Sequence, residues 1–169
     1  MKITTEKILP YKQDILNTWP EECFLFSILS GVNGGYDWIM DSVYQIAMSN
    51  PPNSQIHISF FPFRKQHYLI NAFNFSPFLT KYAVDRTLLF AMQPDFTKVL
   101  MEAINGGFYI SAFLNRNIIL KIEGDFFHIG YIFGYDSVRK IFFVSDNFYN
   151  GRNSILEVDF STIQKAYLS

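Results

Sequence analysis

One cysteine and three histidines are the side chains of this 169-residue chain best suited to nucleophilic or acid–base work: Cys23, His57, His67 and His128. Cys23 heads an apolar run in "WPEECFLFSILSG". A lone free cysteine is as often a small core residue as a nucleophile, so it needs a partner. His128 offers one, in "GDFFHIGYIFGYD", and Asp146 follows eighteen residues later in "FFVSDNFY". If the turn Tyr135–Lys140 joins two antiparallel strands and centres near residue 137, His128 and Asp146 face one another across the hairpin. Directly opposed residues lie about 5 Å apart. An aspartate there orients an imidazole, and a thiol beside that imidazole completes a Cys-His-Asp arrangement. Asp136 and Asn147 are rivals to Asp146. Asp136 sits in the turn, and Asn147 points to the opposite strand face. His57 and His67 flank "ISFFPFRKQ" and read as strand or loop residues. One Cys and scattered His fall short of a zinc ligand set, and no cofactor or metal is expected.

These residues need elements to hold them. Thr18-Trp19-Pro20-Glu21 matches a capping box with Pro in the first turn, so a helix should run from about residue 19 to 30. It is apolar nearly all round, and therefore buried. Gly34-Gly35 breaks it. "DWIMDSVYQIAMS" predicts a second helix capped by Asp37, with Ile39, Val43 and Ile46 on one face, ended by Asn50–Asn53. "QIHISFFPF" and "HYLINAFNF" read as two strands. Residues 77–92 look helical, and Asp95 caps a further helix over "FTKVLMEAIN" that Gly106-Gly107 closes. Five strands follow, "FYISAFLN", "IILKI", "FHIGYIFGYD", "KIFFVSDN" and "SILEVDF", parted by turn residues such as Glu123-Gly124-Asp125 and Asn150-Gly151. A last helix starts near Ser161. Helices first and an antiparallel sheet second is the α+β pattern. Tyr36 and Trp38 read as core residues.

The chain has the length of one domain, and residues 1–169 are read as such. Hydrophobic residues make up 49% and aromatics 18%, enough for a heavy core. Without a long apolar run, no membrane span is expected. The polar start, "MKITTEKILPYKQD", lacks the features of a signal peptide, and a cytoplasmic location is the expectation. A net charge of −1 argues against a nucleic-acid partner, which requires a basic field.

The cysteine at the head of a buried N-terminal helix, the histidine 105 residues later on a hairpin strand and the aspartate on the next strand resemble the papain-like superfamily. Within it the chain is most similar to butirosin biosynthesis protein H-type N-terminal domains and to bacteriocin-processing peptidases. "FHIGYIFGYDSVRKIFFVSDNFYNGRNSILEVDFSTIQKAY" and "INGGFYISAFLN" carry the likeness, which covers residues 13–35 and 95–169. It implies a papain-like fold, with N-terminal helices bearing the Cys packed on a C-terminal antiparallel sheet. It also implies Cys23 as nucleophile, His128 as base and Asp146 as orienting residue. In the peptidases an amide side chain six residues before the Cys, usually Gln, helps bind the oxyanion. Here that position is Asn17, with Gln13 as the fallback. The peptidases favour Gly after the Cys, where this chain has Phe24.

The expected function is cysteine-dependent acyl transfer or thioester chemistry in peptide or secondary-metabolite biosynthesis. The substrate is an acyl or peptidyl group that a carrier protein can present. Arg64-Lys65 and Arg139-Lys140 read as solvated turns, and are the basic pairs available to an acidic carrier. A peptidase cleaving a leader or carrier-linked peptide is the alternative, and a non-catalytic binding domain of the same fold is the second. The butirosin-H-type domains normally precede another domain, so the chain is either a short member or the first part of a longer product.

Overall fold

The computed structural model describes residues 5–13, 20–42, 46–49, 57–60, 73 and 76–169. Its centre is an antiparallel sheet. Strand β5 (Phe127–Asp136) pairs with β6 (Ile141–Tyr149), and β6 pairs with β7 (Arg152–Asp159). The other edge of β5 is shared. β4 (Ile110–Asn115) covers its first half, and β1 (Glu6–Ile8) covers Gly134–Asp136. The β6–β7 turn is Asn150-Gly151, with both residues at positive φ. That is the backbone which matches the twist of a two-residue hairpin. β2 (Ile46–Ser49) and β3 (His57–Phe60) form a separate antiparallel pair.

Six helices accompany the strands among the described residues: α1 (Pro20–Leu29), α2 (Gly35–Ser42), α3 (Arg86–Met92), α4 (Phe96–Asn105), α5 (Arg116–Leu120) and α6 (Phe160–Leu168). Asp95 and Asp159 cap α4 and α6 with side-chain bonds to the amides of Lys98 and Thr162, satisfying donors that a helix start leaves open.

Two apolar layers sandwich the sheet. On one face Leu100 and Ile104 of α4 and Ile163 and Ala166 of α6 pack with Leu114, Ile132 and Val144. On the other, Phe24 and Ile28 of α1 pack with Tyr131 and Phe133. The outer side of α1 buries Leu25, Phe26 and Leu29 against Ile39 of α2. Contacts on both sides explain why every residue from Glu22 to Leu29 is buried, as a helix apolar nearly all round requires.

The class, helices joined to an antiparallel sheet, matches the expectation, and several elements differ from it. The second helix ends at Ser42, and Ile46–Ser49 is a strand, because β3 offers it a cross-strand partner. Residues 77–85 are not helical. Asp85 accepts from the amides of Thr87 and Leu88 and starts α3 only at Arg86. "IILKI" is no strand either. Residues 116–120 form a short helix that stops at Lys121, in the left-handed region at φ 57°. β1 was not anticipated, since its three residues are largely polar. Gly134 admits it: a Cβ there would lie 3.0 Å from the Lys7 carbonyl oxygen. Tyr36 is half exposed rather than core, whereas Trp38 packs beside the Leu25 cluster. Thr18, Val43, Asn50–Asn53, Arg64-Lys65, His67 and, apart from Phe73, the strand expected over "HYLINAFNF" lie outside the described residues.

Candidate active site

His128 and Asp146 meet. Nδ1 of His128 lies 2.8 Å from Oδ1 of Asp146, whose side chain is 3% exposed against 34% for the histidine. The contact is bent, since the ring N–H does not point squarely at the oxygen. The same Oδ1 accepts the Asn147 amide at 2.6 Å, which fixes the carboxylate to its own strand.

The route to this contact differs from simple hairpin arithmetic. The strands close as Asp136 with Ile141, and β5 carries an irregularity between Ile132 and Gly134. Continued past the Tyr131–Ser145 pair, that register sets Asp146 level with Gly130, so His128 and Asp146 are diagonal neighbours. Such neighbours remain within reach of longer side chains. Gly130 puts no side chain between them, and a Cβ there would come within 2.8 Å of Leu114 Cδ1.

Asp146 holds the pKa of His128 above its ordinary 6.5, first through their hydrogen bond and then through charge. Burial and the nearby Arg116 guanidinium pull the other way. Phe126 lies nearly parallel to the imidazole at 12°, with ring centroids 5.9 Å apart. Nδ1 is buried against Asp146, while the side chain as a whole is 34% exposed, so Nε2 is the ring nitrogen left unused by the carboxylate. That is the nitrogen a base in such a triad uses.

Cys23 lies on α1 and is fully buried. Phe24 stacks on Tyr131 at 4.2 Å, and α1 also touches β6. By alternation along the strands, His128 and Asp146 leave the sheet on the Leu114–Val144 face, while α1 covers the other. Tyr131 relates the two sides. Burial chiefly raises its pKa, and the charges of Glu21, Glu22, Asp146 and Cys23 add to the shift. Of the three expected residues, His128 and Asp146 are brought together, while Cys23 belongs to the helix on the other face of the sheet.

Asn17 lies outside the described residues. Gln13 donates from Nε2 to the Asn153 carbonyl at 3.1 Å, tying the N-terminal segment to β7. Asp136 accepts the amides of Val138 and Arg139 and serves the turn. His57 is in β3. Among the described residues no three Cys, His, Asp or Glu side chains gather as a metal site would require, and no helix is long and apolar enough to cross a membrane.

Sequence reasoning missed Arg116, Phe126 and Gly130. Arg116 sits in the polar stretch read as a turn, and nothing in its immediate neighbours signals contact with the strand after Asp146. No known protein family, curated protein or solved structure matches the chain.

Proposed function

We propose that this protein is a cysteine-dependent enzyme of papain-like type that takes acyl groups from thioesters and passes them to an amine or to water. The observation that carries the reading is the His128–Asp146 pair, with its carboxylate buried and its imidazole part exposed. A buried aspartate behind a solvent-facing imidazole orients the ring and stabilises its charged form. In the reaction, Sγ of Cys23 attacks the thioester carbonyl and its proton passes to Nε2 of His128. The donor thiol leaves with that proton, and the acyl group remains on Cys23 as a new thioester. An amine or water then attacks, losing a proton to His128, which returns it to the Cys23 sulfur. The substrate is an acyl or peptidyl group that a carrier protein can present. α1 with Cys23 and the His128–Asp146 pair lie on opposite faces of the sheet, so the transfer from Sγ to Nε2 requires thiol and imidazole to come together, and the adduct experiment tests this.

The complete burial of Cys23 favours a second reading, a binding domain whose thiol is only a core residue. Leader-peptide cleavage by the same residues is the remaining alternative. Intact mass after incubation with acyl-pantetheine thioesters separates them. A transferase or thioesterase accumulates an acyl adduct, because its intermediate is close in energy to the substrate, and Cys23→Ala abolishes it. Cys23-dependent cutting of a peptide pool without an adduct would replace transfer by proteolysis. Neither product, together with a thiol inert to iodoacetamide in the folded protein, would leave the binding domain.

A further inference from the structure

Arg116 opens α5 directly after β4, and its guanidinium touches the surroundings of both members of the His–Asp pair. One terminal nitrogen donates to the Asn147 carbonyl at 2.8 Å and also to the Phe148 carbonyl. These are the two residues after Asp146, in the stretch where β6 and β7 lose register. Ladder pairing is interrupted there, so Arg116 supplies donors that the neighbouring strand does not. The guanidinium carbon also lies 5.6 Å from the Phe126 ring centroid, within cation–π range. Phe126 is the ring that lies against His128.

We propose that Arg116 is a positioning residue: it fixes the backbone behind Asp146 and holds Phe126 against His128, so that carboxylate and imidazole stay in register. Its Nε is buried and has no hydrogen-bond partner among the described residues. An unsatisfied buried donor costs stability, so a stabilising surface contact does not account for this arginine. The guanidinium matters, because a lysine keeps the charge but on a flexible stem with a compact head, and does not reproduce the planar group's fixed approach to the two carbonyls and to the Phe126 ring at once.

The proposal deepens the catalytic reading, yet it can be tested without catalysis. Among the described residues, Asp146 and Arg116 are the charged groups that act on His128, and their charges have opposite effects. Removing a mere neighbouring charge would raise the histidine pKa. Removing a positioning residue loosens the Asp146 contact, the largest influence, and lowers it. The His128 ring signal is followed by proton NMR across the titration, and is assigned by its loss in His128→Gln.

The midpoint is expected to fall in both Arg116→Lys and Arg116→Gln. Arg116→Lys keeps the charge, so its fall reports geometry alone. An unchanged midpoint in folded Arg116→Lys, or a rise in Arg116→Gln, overturns the proposal. If Arg116→Gln does not fold, Arg116→Lys decides by itself. Where wild-type thioester turnover exists, Arg116→Lys should reduce it about tenfold or more, as small misplacements of reacting groups do. Its absence in the wild type would count against the enzyme reading and leave the titration result standing.

Discussion

The His128–Asp146 contact has a consequence for stability that can be read with a denaturant. Asp146 raises the native pKa of His128 above its ordinary 6.5. A group whose pKa is raised on folding binds its proton more tightly in the native state. Its stabilisation is therefore complete below the ordinary pKa and disappears as pH rises through the native value. Asp146→Asn removes the charge that sustains the shift. Wild type should exceed Asp146→Asn most at the acidic end of the range from about pH 5 to 8, where histidine titrates. The gap should narrow toward the alkaline end. Urea midpoints measured across that range check it, and parallel curves would mean that the pair is not coupled to folding. The residual gap at alkaline pH reports the Asn147 amide, which loses its charged acceptor.

Among the elements, α6 is held at its start by a single residue. Asp159 accepts from Ser161 Oγ, Thr162 N and Thr162 Oγ1 at 2.6, 2.8 and 2.7 Å. Those bonds, the one from Ser161 first, hold its pKa below the ordinary 3.8. Asp159→Ala should cost about 1 kcal/mol near neutral pH, a usual cap loss. A lowered carboxylate pKa gives stability that is present above the unfolded value and lost as pH falls through the native one. The deficit of Asp159→Ala should accordingly shrink in strong acid, as thermal melts near neutrality and near pH 2–3 would show.

Caps and turns of this kind were the readable part of the chain. Asp95, Asn150-Gly151 and the Asp136 turn each act through neighbours in sequence, and the elements they bound are where the sequence put them. The errors arose where a distant partner decides. Ile46 fits the helical spacing begun by Ile39, but the pairing with β3 makes residues 46–49 a strand. "IILKI" is too short for its periodicity to separate strand from helix. Similarly, the histidine and aspartate were legible as a pair because they share a hairpin. The Arg116 contact with the chain after Asp146 spans 31 residues and was not.

At the scale of the molecule, one residue joins the N-terminal segment to both the sheet and α1. Tyr11 stacks on Phe133 at 4.2 Å and meets Phe24 at 5.5 Å. Its hydroxyl enters a closed ring of hydrogen bonds. Ser145 donates to Asn153 Oδ1 at 2.7 Å, so the proton in the 2.7 Å contact of Tyr11 with Ser145 comes from the tyrosine. Asn153 Nδ2 completes the ring by donating to the Tyr11 oxygen at 3.3 Å. Ser145 and Asn153 are buried, so water cannot readily replace a missing member. Tyr11→Phe keeps the stacking and leaves the Asn153 amide group short of an acceptor. That should cost about 1–3 kcal/mol. Tyr11→Ala also loses the aromatic contacts that hold the segment over α1, and should cost more. The two variants are also expected to differ at Cys23. The segment reaches α1 directly, through the Lys12 amide to the Ser27 carbonyl at 3.0 Å. Loosening it should expose the thiol in openings smaller than global unfolding. Iodoacetamide labelling of Cys23 should then quicken in Tyr11→Ala by more than its loss of global stability accounts for. In Tyr11→Phe it should change only in step with stability. Labelling that tracks urea stability in both variants would show that segment, helix and sheet open as one unit.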